Sequence, residues 1–235
     1  MTDTLQLTPP PFVERFQYKG CVQINDPITR KRVNQTPDGE TLPSVTTILS
    51  ATKDMTHLNE WKKRVGVEKA QQITTEAAGV GTAMHSNLER FIAGIQRQPG
   101  NNPVHVQANK MADVIIENGL SKVSEVWAME QSLYYPGLFS GTTDLVGVHE
   151  NEPAVMDYKQ TNKPKKAEWV EDYYLQLMAY ILAHNEVYGT DIKKGVIFMC
   201  SRDFQYQQFT LEPTDFNKWQ DAWLTKVEEY YKLGR

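Results

Sequence analysis

The chain is poor in cysteine: Cys21 and Cys200 are the only two among 235 residues. Two thiols cannot build a four-cysteine zinc or iron–sulfur site, so no iron–sulfur cluster is expected. One disulfide stays open as an alternative, but two reduced thiols in a cytosol-like compartment fit better. Long apolar runs are missing too, and none reaches membrane-spanning length. The stretch Met1–Phe12 has no basic region followed by an apolar segment. It ends in Pro9-Pro10-Pro11 and reads as a loose tail, not a targeting signal, so a cytoplasmic location is expected. An excess of positive charge is also absent, since the formal net charge is -4. That argues against binding nucleic acid over the whole surface. It leaves room for a local basic path, because clustered carboxylates that hold metal lower the total. No internal repeat is visible.

What is present is a soluble-type composition, 40% hydrophobic and 23% charged. Phe16-Gln-Tyr18 and Cys21–Ile24 flank Lys19-Gly20 and predict a hairpin. Asp38-Gly39 marks a second turn. Ser44 is placed to cap a helix over Val45–Leu49. From about Leu58 to Ala78 the pattern is helical and charged. Gly79-Val80-Gly81 predicts a break before an amphipathic helix over Thr82–Ala93, with Met84, Leu88, Phe91 and Ile92 on one side. A further helix is expected over Val104–Glu117. Three strands follow, over Val123–Tyr135, Phe139–Val148 and Ala154–Gln160. A long helix is expected over Ala167–Val187, then strands over Ile192–Cys200 and Tyr206–Leu211. Pro213 opens a final helix that buries Phe216, Trp219, Trp223, Val227 and Tyr230. This order predicts an α/β (α+β) sandwich, helices on both sides of a mixed sheet.

Three features carry chemistry. Gly141-Thr-Thr-Asp144 lies on the second of the three strands, and Asp157-Tyr158-Lys159 ends the third. A short connection makes these strands antiparallel neighbours, so Asp144 and Asp157 can sit side by side. Asp157 and Lys159 share a strand face, while the Tyr158 carbonyl can turn to the site. Two carboxylates and a carbonyl form a hard oxygen site suited to Mg²⁺. A lysine beside it can orient the attacking water or stabilise phosphate charge. Asp-x-Lys alone reads as a surface ion pair. The Gly-x-x-Asp on the preceding strand, where an unpartnered carboxylate would be costly to bury, turns the balance towards a site. The third feature is His85 with Glu89, four apart on one helix face; alone, this pair reads as an ordinary polar face. Gln176 and Tyr180 share a face of the long helix, and read either as site support or as polar core residues satisfied locally.

Taken together, Gly-Thr-x-x-His, Gly-Thr-Thr-Asp, Asp-Tyr-Lys and Gln-x-x-x-Tyr resemble the RecB-like branch of the PD-(D/E)XK nucleases. Within it the chain is most similar to the mitochondrial genome maintenance exonucleases and related phage exonucleases. Pro43–Leu49 and the tryptophans Trp219 and Trp223 belong to the resemblance, which covers roughly residues 43–232. It implies a restriction-endonuclease-like core. It also implies metal ligation by His85, Asp144, Asp157 and the Tyr158 carbonyl, and a catalytic Lys159. Glu130 is the best match to a first-strand glutamate that joins the metal shell. Gln176 and Tyr180 would steady the site or the DNA. Mg²⁺ is the expected cofactor, with Mn²⁺ able to substitute because an imidazole is among the ligands.

The implied substrate is DNA, cut at single-stranded ends, in a bacterial or phage-infected cell. Replication or recombination proteins are the expected partners; no membrane is. Trp61, Lys62, Lys63, Arg64 and Lys69 fall in a segment near 55–78 that reads as a helical arch admitting a flexible strand, or as a solvated helix face. Lys163, Lys165 and Lys166 form a second basic cluster for DNA. Residues 1–42 read as a tail with short strands, and 43–235 as the nuclease domain. A structure-specific endonuclease on the same core and a non-catalytic DNA-end binder are the competing classes.

Overall fold

The computed structural model describes residues 7–25, 32–97 and 100–234. Strands β1 (Val22–Asn25), β2 (Arg32–Gln35) and β3 (Thr41–Leu42) form a small antiparallel sheet. Helices α1 (Val45–Thr52), α2 (Thr56–Val65), α3 (Val67–Ile92) and α4 (Pro103–Asn118) follow. Then come β4 (Val123–Tyr135), β5 (Phe139–His149), β6 (Glu152–Thr161), α5 (Glu171–Tyr188), β7 (Lys194–Ser201), β8 (Tyr206–Leu211) and α6 (Phe216–Lys232). The main sheet has the order β4-β5-β6-β7-β8 and is antiparallel except for the parallel β6–β7 pair. A parallel pair needs a crossover, and α5 supplies it.

Each face of the sheet has its own core. Val80, Met84, Leu88 and Ile92 of α3 recur every four residues and pack with Met111 and Ile115 of α4 against Leu145, Met156 and Phe198. On the other face, α1, α5 and α6 pack on Val146, Val155 and Ile197. Helix α5 is buried without interruption from Leu177 to His184, because the sheet lies beneath it and α1 and α6 cover its other side. Each large aliphatic side chain buried this way contributes about 1.5–3 kcal/mol. This is the three-layer α/β arrangement expected from the order of the elements. Among the described residues no helix is long and apolar enough to cross a membrane.

Three sequence expectations need correction. The hairpin around Lys19-Gly20 does not form. Instead β1 pairs with β2, with Val22 opposite Gln35. Phe16 and Tyr18 put their rings against His184 and Tyr188, and this packing replaces a strand ladder. The proline-rich tail is not loose at its end. Val13 N–H donates to Val126 O (2.8 Å) and Val126 N–H to Pro11 O (2.9 Å), which straps the segment onto β4. Finally, Gly79-Val80-Gly81 does not break the helix. Helix α3 runs through it, because Val80 is buried and Gln160 Nε2 donates to Ala77 O at 3.2 Å. These contacts offset a propensity cost of about 1 kcal/mol per glycine. The break comes at Gly66, whose φ of 85° lets α2 turn into α3. Met1–Gln6, named in the tail reading, lie outside the described residues.

Candidate active site

The site lies in a fork between β5 and β6. Their ladder runs from His149 opposite Glu152 to Leu145 opposite Met156 and ends there. The next pair in register would be Asp144 and Asp157. Instead of continuing the ladder, Asp144 Oδ2 accepts from Tyr158 N–H at 2.7 Å. On its other side β5 stays paired with β4, with Gln131 opposite Thr143 and Met129 opposite Leu145. That register sets Glu130 opposite Asp144. Glu130 has a φ of 49°, a left-handed conformation that a non-glycine residue adopts at a cost. Glu130, Asp144 and Asp157 thus form a row of carboxylates on three adjacent strands.

Alternation along β6 places the rest. Val155 joins the core against α5, while Met156 and Tyr158 join the core against α3 and α4. Asp157 and Lys159 therefore project towards α5, and the Tyr158 ring points away, as the sequence predicts. Lys159 Nζ is ion-paired with Asp157. It also lies 5.2 Å from the centre of the Tyr173 ring at the start of α5. From the other layer, the buried α3 stripe sets His85 at the fork. One imidazole nitrogen, Nε2, is 2.9 Å from Tyr158 O, and the other, Nδ1, is 3.4 Å from Asp144 Oδ1. The ring edge meets the Tyr158 ring in a T-shaped contact.

Electrostatics follow from these contacts. Burial works against a charged His85, but the hydrogen bond and charge of Asp144, with the charge of Asp157, outweigh it and raise His85 to about 9. Burial also works against Asp144⁻, yet His85, Lys159 and the Tyr158 N–H hold its carboxyl below the usual range. Burial raises Asp157 to about 6; the Lys159 ammonium opposes the shift and the negative charge of Asp144 adds to it. Burial, then the charges of Asp144 and Glu89, raise Glu130 to about 7. Burial disfavours Lys159⁺, but Asp157 and Asp144 more than restore it, so the ammonium persists. A cluster this negative retains protons that a cation would displace.

Among the described residues, His85, Glu130 and Asp144 each offer a ligand atom, and these atoms lie within 4.8 Å of one another. Two carboxylates and an imidazole suit a small divalent cation, so the donor set fits the metal that the sequence implies. Asp157 borders this group but is held by Lys159. The Tyr158 carbonyl faces the fork and is engaged by His85. Glu89 lies one helical turn from His85, half-buried, and its charge is felt by Glu130. In α5, Gln176 Nε2 donates to Tyr180 Oη at 3.0 Å, so the pair is satisfied locally. Tyr180 also needs Gly141: a Cβ there would lie 2.8 Å from Tyr180 Cε1.

The basic candidates are placed differently. Lys163, Lys165 and Lys166 follow β6 at the end that carries Lys159, and Gln207 clamps the Lys165 main chain on both sides (2.7 Å each). Trp61 is half-buried on α2, and Lys62, Lys63 and Arg64 are exposed in its last turn, with Lys69 exposed on α3. No contact joins these four α2 residues to the fork. The segment that carries them has both feet beside it, however. Lys53 pairs with Asp172, next to Tyr173, at one end, and Ala77 and His85 touch β6 at the other.

Sequence reasoning missed Tyr173 and Trp169. Tyr173, Gln176 and Tyr180 are spaced i, i+3, i+7, so extending the helix face back one turn would have found the first. Trp169 is 57% exposed with Lys166 Nζ 5.4 Å from its ring centre, and only its neighbourhood to the basic cluster signalled it.

An α/β core with carboxylates and a lysine converging where two central strands part defines a nuclease of the restriction-endonuclease type. The family model of the PD-(D/E)XK nuclease superfamily matches residues 102–232, and the chain belongs to that superfamily. The matched region holds Glu130, Asp144, Asp157 and Lys159; His85 lies before it. Among solved structures the chain is similar to SSO0001, at 15% identity and a TM-score of 0.38, over 75% of this chain and 70% of that one. It is also similar to an alkaline exonuclease (LHK-Exo) from Laribacter hongkongensis, at 16% identity and a TM-score of 0.31, over 64% of this chain and 81% of that one. No curated protein matches it in sequence.

Proposed function

We propose that the protein is a Mg²⁺-dependent deoxyribonuclease that removes nucleotides from single-stranded DNA ends, in the RecB-like branch. The observation that carries this reading is the row Glu130–Asp144–Asp157 across three strands, with His85 entering from α3 and Lys159 beside it. His85, Glu130 and Asp144 would hold the cation, with Asp157 and the Tyr158 carbonyl completing its surroundings. When bound, a divalent cation neutralises phosphate charge and makes water a better nucleophile. Lys159, kept cationic by Asp157, lies where it can stabilise charge on the phosphate oxygens. Tyr173 beneath the ammonium fixes its direction. Asp157, raised towards neutrality, can take a proton from water on the site side of β6.

The arch supports the preference for ends and single strands. Residues 53–77 leave the fork at Lys53 and return to it at Ala77, carrying Trp61 and four cations between. A flexible strand can pass beneath such a span, and a rigid duplex fits less readily. Lys163, Lys165, Lys166 and Trp169 offer charge and a stacking face at the fork's exit. Digestion of end-labelled single-stranded, duplex, flap and circular DNA with Mg²⁺, and again with EDTA, tests the proposal. Rapid, EDTA-sensitive loss of linear single strands is expected. Equal rates on circles would favour the endonuclease class, and no turnover on any substrate the non-catalytic binder.

A further inference from the structure

Beside the fork lies a second cleft, of about 450 Å³, built where four parts of the fold meet. The small sheet contributes Gln23 and Asn34, α1 contributes Thr46, β5 contributes Thr142, and α5 contributes Gln176 and Tyr180. Among the described residues, no Lys, Arg, Asp or Glu lines it. Such a surface offers little to a phosphate, which binds best to cations. It offers much to a neutral heterocycle edged with donors and acceptors. Asn34 spends an amide hydrogen on Ser140 Oγ (2.9 Å) and Gln176 one on Tyr180 Oη (3.0 Å). Those bonds leave the two amide carbonyls as acceptors, while the threonine hydroxyls can donate or accept. The volume falls in the range of small-ligand sites.

The position of the cleft is as informative as its lining. Thr142 and Asp144 are two apart on one strand, so about 7 Å separates cleft wall and catalytic row. Gly141 keeps the wall thin, since any side chain there would collide with Tyr180. We propose that this cleft receives the base and sugar of one nucleotide of the substrate strand, next to the phosphate to be cut. The inference rests on the nuclease reading above and adds to it a neutral nucleoside subsite that orients the strand.

The test walks a single abasic residue along a single-stranded oligonucleotide. Binding is measured by fluorescence anisotropy in EDTA and cutting in Mg²⁺. The parent protein is compared with Asn34→Leu and with the near-isosteric double variant Thr46→Val/Thr142→Val, whose exposed positions tolerate the change. In the parent, one position beside the cut should weaken binding roughly five- to tenfold, the scale of one or two neutral hydrogen bonds. In the variants that position-specific penalty should vanish, while the salt dependence of binding stays the same, because no phosphate contact is lost. An equal penalty in parent and variants overturns the proposal. So does a fall in salt dependence, or a loss seen only with oligonucleotides bearing a terminal phosphate. If Asn34→Leu fails to fold, the threonine pair still decides. A parent that neither binds nor cuts DNA sinks the nuclease reading itself, and this inference with it.

Discussion

At the scale of single residues, the account turns on how a crowded negative site is kept in place. Glu130 is the most exposed to test, because its backbone is strained and its side chain belongs to the row. Replacing it by glycine removes an αL strain of about 1–2 kcal/mol. Glycine also frees the unfolded chain, which takes back part of that gain. Glu130→Gly should therefore melt at or above the parent temperature while losing most nuclease activity. A variant that is both active and more stable would show that Glu130 has no part in the chemistry. Lys159→Ala should cut about a hundredfold or more slowly, as when one electrostatic stabiliser is lost, yet still bind Mn²⁺ in calorimetry. Retained activity would reduce Lys159 to a counter-ion for Asp157.

His85 sets the pH dependence. Without a cation its pKa is raised to about 9, so the ring is charged at neutral pH, and Glu130 is raised to about 7. A ligating imidazole must be neutral and a ligating carboxylate ionised, so metal binding should release protons. Affinity should rise with pH from about 6 to about 9 and level off above. Calorimetry with Mn²⁺ in buffers of different ionisation enthalpy measures the release directly. His85→Ala should bind metal more weakly and with a flatter pH profile. An unchanged profile in that variant would remove His85 from the ligand set.

At the scale of elements, long periodic segments were legible and the points of strain were not. Strand β4 was read to its true ends because Val123–Tyr135 is rich in β-branched and aromatic residues and closes on Pro136-Gly137. The same reading could not show that β4 takes a left-handed backbone conformation at Glu130, since nothing in a glutamate announces a positive φ. It set Asp144 beside Asp157 because a short turn fixes antiparallel register, and the two do fall at the next position beyond the last ladder pair. It missed that the ladder ends one pair earlier, which opens the fork and frees Asp144 for the Tyr158 amide. The helix break was put at Gly79–Gly81 on local propensity, and tertiary packing of Val80 and the Gln160 contact overrode it. That difference is measurable. A Cβ at residue 79 would meet only Val104 Cγ1, at an ordinary 3.7 Å. Gly79→Ala should therefore stabilise the protein by about 0.5–1 kcal/mol in urea unfolding. If it destabilises instead, α3 is not continuous there. Gly141→Ala is the opposite case: the collision with Tyr180 should lower both stability and activity.

At the scale of the whole molecule, two independent cores clamp one sheet, and the site sits where the sheet opens between them. The proposed catalytic groups arrive from both layers: His85 from α3, Lys159 and Asp157 facing α5. Composition hinted at none of this, and a net charge of -4 argued only against binding nucleic acid over the whole surface. The negative total is partly the site itself. The central claim is that phosphodiester cleavage depends on this row of carboxylates and on a divalent cation held there. Its most direct test compares the parent with Asp144→Asn on linear single-stranded DNA, with circular dichroism to confirm an equal fold. The account predicts Mg²⁺-dependent loss of full-length DNA by the parent. The folded variant should show at least about a hundredfold less, with no rescue by excess metal. Parent-level cleavage by folded Asp144→Asn would contradict it.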